Sequence, residues 1–171
     1  MTTTHTAVTT QVYSIYIKAT PQKVWEAILK PEWTDRYGYG GLTDYDLTPG
    51  ARFETHPSEA MVKAGQEMGH PTPDVIIDGE VIEADQPRRL VLSWRMLMDA
   101  ELAAEGFTRL TYELKEAAGG TKLTVVHELE NAPMLAAVTS GGNEDQGAGG
   151  GWPWILSDLK SLLETGTPLA G

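Results

Sequence analysis

The chain has 171 residues, enough for one domain with its own core, and no cysteine, which excludes a disulfide framework and a cysteine nucleophile. Its 24 acidic and 13 basic residues give a net charge of −11, which argues against a nucleic-acid partner because phosphate binding needs clustered Lys and Arg. No apolar run approaches the roughly 20 residues of a membrane span, and the polar N-terminus has no signal-peptide pattern. We therefore expect a cytoplasmic protein in which residues 1–10 form a disordered lead.

The first predicted elements are a strand and two helices. The segment QVYSIYIKA alternates in polarity, which predicts a strand with Tyr13, Ile15 and Ile17 pointing inwards. Thr20 and Pro21 then suit the N-cap and the first position of a helix. A shorter helix is predicted directly after it, and it runs into a glycine-rich loop.

The middle of the chain is predicted to form strands that are interrupted once. A strand region begins near Tyr45, and residues 56–74 then break the pattern with three prolines and few apolar side chains. We interpret 56–74 as a mobile loop insertion, in which residues 59–68 could form a helical turn or two. Four further strands follow, and Gly119-Gly120 between the last two is a hairpin signal.

The last predicted element is an amphipathic helix that starts in a glycine-rich, flexible segment and stops at Gly166. Its apolar stripe consists of Trp152, Ile155, Leu156, Leu159, Leu162 and Leu163. Trp154 and Asp158 fall on the opposite, polar side. Because an antiparallel sheet has one apolar face to cover, the pattern predicts an α+β fold in which a curved sheet wraps around this helix and encloses a cavity.

Five segments in this order resemble a known family: IKATPQKVWEAILKPEWTDRYG, PGARFE, DGEVIEADQPRRLVLSWR, TRLTYELKEAAGGTKLTVVHE and GGWPWILSDLKSLLETG. They look like the START-like superfamily, also called the Bet v 1-like or SRPBCC fold, and more narrowly like bacterial homologues of the heat-shock-protein-90 ATPase activator. The resemblance implies the helix-grip fold, with two short helices after the first strand, in a single domain over residues 11–166 that includes the 56–74 insertion. Residues 167–171 would form a tail.

The resemblance implies less about function than about fold. Members of the superfamily bind lipids, hormones, polyketides or other apolar ligands, and some cyclise polyketides. Others are similar to self-sacrifice resistance proteins of antibiotic producers, one of which has a similar glycine-tryptophan-proline helix start. Eukaryotic activators stimulate the chaperone ATPase, and they carry a separate N-terminal domain.

Ten residues are candidates for contacting a ligand between the C-terminal helix and the concave sheet: Trp33, Tyr37, Trp94, Met96, Tyr112, Leu114, Val125, His127, Ile155 and Leu159. Trp33 and Tyr37 are expected near the entrance, where ordinary packing of a short helix is the alternative. The row that contains Trp94 and Met96 either lines the cavity or is plain core. His127 is interpreted as a group that forms a hydrogen bond with a ligand or acts as an acid–base group. The alternative is a partly buried histidine whose hydrogen bonds are satisfied within the protein, or one at the exposed end of the strand.

The predicted function is non-enzymatic binding of an apolar or aromatic small molecule. One alternative is a protein-interaction module that acts on a chaperone or another partner, with a filled interior. Another is cyclase-like proton transfer, or sacrificial scavenging of a reactive natural product. No catalytic residue, metal site or cofactor is predicted, because the four histidines lack metal-ligand spacing and no nucleotide-binding motif is present. The pattern is compatible with a monomer or a homodimer.

Overall fold

The computed structural model describes residues 10–142, 144–146 and 149–169. Residues 1–9 of the expected disordered lead and residues 170–171 of the expected tail lie outside these ranges. Thr10, the last residue of the expected lead, begins the first strand. The strands within the described residues are β1 (Thr10–Ile17), β2 (Leu42–Thr43), β3 (Arg52–His56), β4 (Ile77–Asp85), β5 (Arg89–Met96), β6 (Thr108–Ala117) and β7 (Gly120–Glu128). The α-helices are α1 (Pro21–Leu29), α2 (Pro31–Thr34), α3 (Glu59–Glu67), α4 (Ala100–Ala104), α5 (Pro133–Thr139) and α6 (Gly151–Thr165), and Glu144–Gln146 form a 3₁₀ turn.

The strands form one curled antiparallel sheet in the order β1-β7-β6-β5-β4-β3-β2. Gly119 has a φ of 84°, which glycine adopts without strain, and it lets β6 and β7 meet in a tight hairpin. Tyr13, Val125, Tyr112 and Leu90 lie opposite one another on four neighbouring strands. This row faces the C-terminal helix, because the Tyr112 ring contacts Trp152 of α6. The predicted α+β helix-grip fold is confirmed.

Helices α1 and α6 supply the cover for the concave face. The Thr20 side chain accepts a hydrogen bond from the Lys23 N–H and so caps α1 as predicted, with Pro21 at the first position. At the other end of the chain, Gly166 stops α6 with a φ of 82°. The apolar faces of both helices are buried against the sheet in one core cluster. No described helix combines the length and the apolar character that crossing a bilayer requires.

Two helices were missed by the sequence prediction, and a third was expected. The 56–74 insertion contains α3, nine residues within the 59–68 stretch where a helical turn or two was expected, and the Ser58 hydroxyl caps its first turn. Helices α4 and α5 were not predicted, because five and seven residues are too few to display a full apolar period. They depend on local caps: the Glu105 carboxylate accepts hydrogen bonds from the N–H groups of Met134 and Leu135 at the start of α5.

Candidate ligand-binding site

A linear chain of hydrogen bonds runs from α6 to the sheet through His127. The Trp152 indole N–H donates to His127 Nδ1 at 3.1 Å, and His127 Nε2 lies 2.8 Å from the Thr108 hydroxyl. Thr108 in turn donates to the Trp94 carbonyl at 2.9 Å. Since Nδ1 accepts, the proton of a neutral imidazole sits on Nε2 and is donated to Thr108. We call these four residues the histidine chain.

The histidine chain fixes the charge state of His127. Its side chain is fully buried, and desolvation lowers its pKa from 6.5 to about 4. A protonated ring would direct an N–H at the Trp152 donor, so only the neutral ring fits this site. Both ring nitrogens are therefore engaged within the protein, and the hydrogen bonding is that of a satisfied, buried histidine.

Three tyrosines, Tyr37, Tyr45 and Tyr112, form a second polar group, which we call the tyrosine cluster. Burial raises the pKa of Tyr45 to about 12, and it raises the pKa values of Tyr37 and Tyr112 well above the ordinary value. Repulsion from Tyr45 and Tyr37 in their ionised forms adds to the increase in the pKa of Tyr112, so the three groups lie within electrostatic range of one another. All three side chains nevertheless keep solvent-accessible surface and are only half-buried.

The members of the cluster differ in their hydrogen bonds. The Tyr37 hydroxyl donates to the Ala27 carbonyl at 2.9 Å, which ties it to α1. The Tyr45 hydroxyl interacts with the Thr43 side chain. No hydrogen bond from a described residue contributes to the pKa shift of the Tyr112 hydroxyl. Since no fully buried side-chain oxygen of the described residues lacks a partner, this hydroxyl keeps some accessible surface. The Tyr112 ring packs edge-on against Trp152 with a centroid distance of 6.0 Å. Tyr112 is therefore the member that can pair with a ligand without losing a protein partner.

The α2–β2 loop, residues 35–41, lies over α6 next to the tyrosine cluster. Asp158 of α6 is 2% exposed, and its carboxylate accepts a hydrogen bond of 2.7 Å from the Gly38 N–H. Its second oxygen accepts one of 2.7 Å from the Leu169 N–H, which belongs to the predicted tail. One buried carboxylate therefore holds the loop and the tail against the same helix.

Two open pockets reach the tyrosine cluster. One has a volume of about 270 Å³ between α1 and the chain before β3, and its lining includes Tyr45 together with Trp25, Leu29 and Leu47. The other, of about 620 Å³, lies between the α2–β2 loop and α3, and its lining includes Tyr37 and Met61. Neither pocket is lined by a member of the histidine chain.

The ten residues predicted to contact a ligand divide into two groups of five. The buried ones are Trp94, Leu114, Val125, His127 and Leu159. Those that keep accessible surface are Trp33, Tyr37, Met96, Tyr112 and Ile155. The Trp33 ring is flanked by Lys23 and Arg36, whose cationic groups lie 4.7 and 5.1 Å from its centroid. The ligand contacts themselves stay a prediction.

Three residues of this region were not among the predicted contacts: Tyr45, Trp152 and Asp158. Trp152 was placed only on the apolar stripe of its helix, although an indole N–H in a buried stripe signals that an acceptor must face it. Asp158 was assigned to the polar side, where the α2–β2 loop covers it. Within the described residues, no group of three His, Asp or Glu side chains is placed to hold a metal ion.

Comparisons with solved structures agree with the fold. A solution structure from Bordetella parapertussis is 20% identical, with a TM-score of 0.66, and the match covers 98% of this chain and 81% of that one. DynU16, a protein in the dynemicin biosynthetic locus, is 22% identical, with a TM-score of 0.62 over 94% of this chain and 49% of that one. An HSP90 activator from Plasmodium falciparum is 18% identical, with a TM-score of 0.55 over 80% and 89% of the two chains. Identities this low show the fold alone.

The sequence comparisons are more specific. No curated protein matches this chain. A family model, described as Activator of Hsp90 ATPase homolog 1-like protein, matches residues 18–164, which is most of the chain. The resemblance noted from the sequence segments is thereby confirmed, and the chain belongs to the family of Activator of Hsp90 ATPase homolog 1-like proteins.

Proposed function

We propose that this protein binds a neutral, largely apolar small molecule between α6 and the concave sheet, with the tyrosine cluster at its polar end. The observation that carries this proposal is the state of Tyr112. Burial raises the pKa of its hydroxyl, yet its side chain keeps accessible surface, and no hydrogen bond from a described residue contributes to that pKa shift. Tyr112 itself lines neither of the two pockets that Tyr45 and Tyr37 border. We infer that a recess beside Tyr112 opens from these two neighbouring pockets.

The chemistry of the recess favours a neutral ligand. The hydroxyls of the cluster stay protonated at neutral pH, because burial raises the pKa of each. A ligand carbonyl or hydroxyl can accept a hydrogen bond from Tyr112, whereas burying a charged ligand there would carry a desolvation cost. Met96 and Ile155, both half-buried against the core, supply apolar contact area. Burial of apolar ligand surface contributes about 25 cal/mol per Å² before the costs of binding.

In this proposal the predicted contact residues have two roles. Tyr37, Tyr112 and Ile155 touch the ligand, with Trp33 near the entrance. Met96 lies six residues along β5 from Leu90, the partner of Tyr112, and is reached by a ligand that extends along the strand. The five buried residues of the original set form the closed core on both sides of Tyr112, and His127 supports the wall through Trp152. The polar group that orients the ligand is thus Tyr112. It lies on β6 two residues after Leu110, which is the residue opposite His127.

The test uses prodan, a neutral naphthyl ketone whose emission reports polarity and hydrogen bonding. We expect saturable binding with a blue-shifted emission in the intact protein. Tyr112→Trp, which fills the recess, should abolish it, and Tyr112→Phe should weaken it about fivefold by removing one hydrogen bond of about 1 kcal/mol. Tyr16→Phe changes an exposed ring on the outer sheet face and is the matched control.

Two results would refute the proposal. One is an absence of saturable binding across neutral aromatic ketones, with no apolar compound found by native mass spectrometry of the gently purified protein. The other is unchanged prodan affinity in a folded Tyr112→Trp variant, which would locate the binding elsewhere.

The family match supports a second candidate, an activator-like action on a chaperone. In this reading, the partner is a protein and the recess is incidental. Stimulation of the ATPase of a bacterial Hsp90-type chaperone by the purified chain would favour it, and the effect should survive Tyr112→Trp. The fold shared with DynU16, a protein of a biosynthetic locus, supports the third possibility, chemistry on a natural product. Mass spectrometry of the chain after exposure to dynemicin would then reveal cleavage or covalent change.

A further inference from the structure

An apolar groove lies between α4 and α5, away from the proposed recess. It has a volume of about 470 Å³ and is lined by Asp99 and Leu102 from the α4 side and by Pro133, Met134, Ala137 and Val138 from α5. The groove is preformed rather than loose, because the Glu105 carboxylate after α4 caps the N-terminus of α5 with two hydrogen bonds of 2.9 Å. We call it the α4–α5 groove.

Large apolar side chains are exposed along this part of the surface. Met134, which lines the groove, is 41% exposed. Met98 and Phe107, which flank α4 in the sequence, are 46% and 48% exposed. An exposed apolar side chain in a preformed groove is typical of an interaction site, and the unbranched, polarizable side chain of methionine adapts to the shape of a partner.

The charge around the groove selects the partner. Residues 97–107 and 128–146, which contain both helices, have no basic residue and seven acidic ones: Asp99, Glu101, Glu105, Glu128, Glu130, Glu144 and Asp145. Among the described residues, Glu128 alone of these forms an ion pair, with Arg109. Arg95 lies over the Phe107 ring at 4.3 Å and shares the Asp78 carboxylate with Arg52, so the Phe107 side of this surface carries positive charge. At the groove itself, Asp99 lines the α4 side and the Glu105 carboxylate lies at the start of α5. The apolar floor is therefore flanked by acidic side chains with no basic residue in either segment.

We propose that the α4–α5 groove docks a basic amphipathic helical segment of a partner protein. An apolar side chain of that helix would enter between Leu102 and Met134, and its neighbours one turn away would contact Ala137 and Val138. Lysine or arginine residues on the flanks of the helix would face the acidic rim, which raises the association rate and excludes acidic partners. This inference does not depend on ligand binding in the recess.

The test measures binding of a fluorescein-labelled helical peptide of about 18 residues made of leucine and lysine at amphipathic spacing. The same peptide with glutamate in place of lysine tests the charge, and a scrambled peptide with the same lysines but dispersed leucines tests the apolar face. We expect the basic amphipathic peptide alone to bind, with affinity that falls as salt is raised. Met134→Lys should weaken it about tenfold or more.

Ile82→Lys is the matched control, because Ile82 is 40% exposed on β4, far along the chain from the groove helices, and receives the same change. The proposal is overturned if both variants weaken the peptide equally, if the scrambled peptide binds as well as the amphipathic one, or if no peptide binds. Concentration-dependent dimers that disappear in Met134→Lys, measured by light scattering, would also overturn it, because the occupant would then be a second copy of the chain. Prodan binding, measured in the same variants, should stay unchanged and keeps this test separate from that of the recess.

Discussion

The histidine chain and the tyrosine cluster are neighbouring polar groups on one concave face, yet they differ in burial and in how many of their hydrogen-bonding groups have protein partners. In the histidine chain every donor meets an acceptor, and His127 is fully buried. In the tyrosine cluster the rings keep accessible surface, and no hydrogen bond from a described residue contributes to the pKa shift of the Tyr112 hydroxyl. Trp152 separates the two: its indole N–H serves His127, and its ring contacts Tyr112.

The difference identifies which polar groups maintain the fold and which are available for binding. A buried polar group without a partner costs about 1–3 kcal/mol, so a fully paired chain is what stability alone requires. A desolvated hydroxyl that is left unpaired retains its hydrogen-bonding capacity for a ligand. Buried polar residues in such a fold are thus informative only once their partners are known.

Truncation of a closed-core side chain and of a side chain beside the proposed recess should give the largest difference. Leu159 is 2% exposed and Ile155 is half-buried, although both lie on the apolar stripe of α6. We expect Leu159→Ala to lower the free energy of unfolding by about 2–5 kcal/mol, because it leaves a cavity in the closed core. Ile155→Ala should cost about 1 kcal/mol, since less of its surface is buried. Urea denaturation measures both; equal losses would mean that the two regions are packed alike.

The pH dependence of stability should come from the histidine chain. Because the pKa of His127 is about 4 in the folded state and 6.5 in its ordinary state, the unfolded chain binds more protons between these values. Stability should be complete above about pH 6.5 and fall by about 3 kcal/mol as the pH drops toward 4. His127→Gln, which cannot titrate, should remove this part of the slope. The exposed His56→Gln should keep it, and an unchanged slope in His127→Gln would contradict the assignment.

Removal of the buried Asp158 carboxylate, next to the tyrosine cluster, should have an intermediate effect on local stability. Asp158→Ala removes both carboxylate oxygens, which accept the hydrogen bonds of the Gly38 and Leu169 N–H groups. We expect about 1.5–3 kcal/mol less protection at these two amides, measured by hydrogen exchange. Glu164→Gln changes an exposed carboxylate on the same helix and should leave both amides as they are. Faster exchange at only one amide would show that the loop and the tail are held separately.

The sequence predicted the fold well because the fold depends on periodicity. Alternation in β1 and the leucine stripe of α6 are local signals, and both elements formed as expected. Short α4 and α5 were missed because their helical character rests on caps such as Glu105, which acts from outside α5. The same limit applies to the site.

Within the candidate site, the sequence identified residue types but not their partners. Tyr112 and His127 were both selected from strand alternation, which shows the face on which a side chain lies. Whether the hydrogen bonds of His127 are satisfied depends on Trp152 and Thr108, which are 25 and 19 residues away from it in the sequence. The burial of Asp158 on the polar side of α6 was missed for the same reason, because a helical wheel contains no information about the loop that packs on it.

The smallest expected effect is also the most discriminating. Tyr112→Phe should change the free energy of unfolding by no more than about 0.5 kcal/mol, because no hydrogen bond from a described residue contributes to the pKa shift of its hydroxyl. Tyr37→Phe is the matched change in the same cluster, and it should cost about 1 kcal/mol since the Ala27 carbonyl loses its donor. If Tyr112→Phe lowered the free energy of unfolding as much as Tyr37→Phe, the Tyr112 hydroxyl would have a protein partner. The hydrogen bonds of the tyrosine cluster would then be as fully satisfied as those of the histidine chain. A near-zero loss, together with weaker prodan binding, would instead assign the hydroxyl to the ligand.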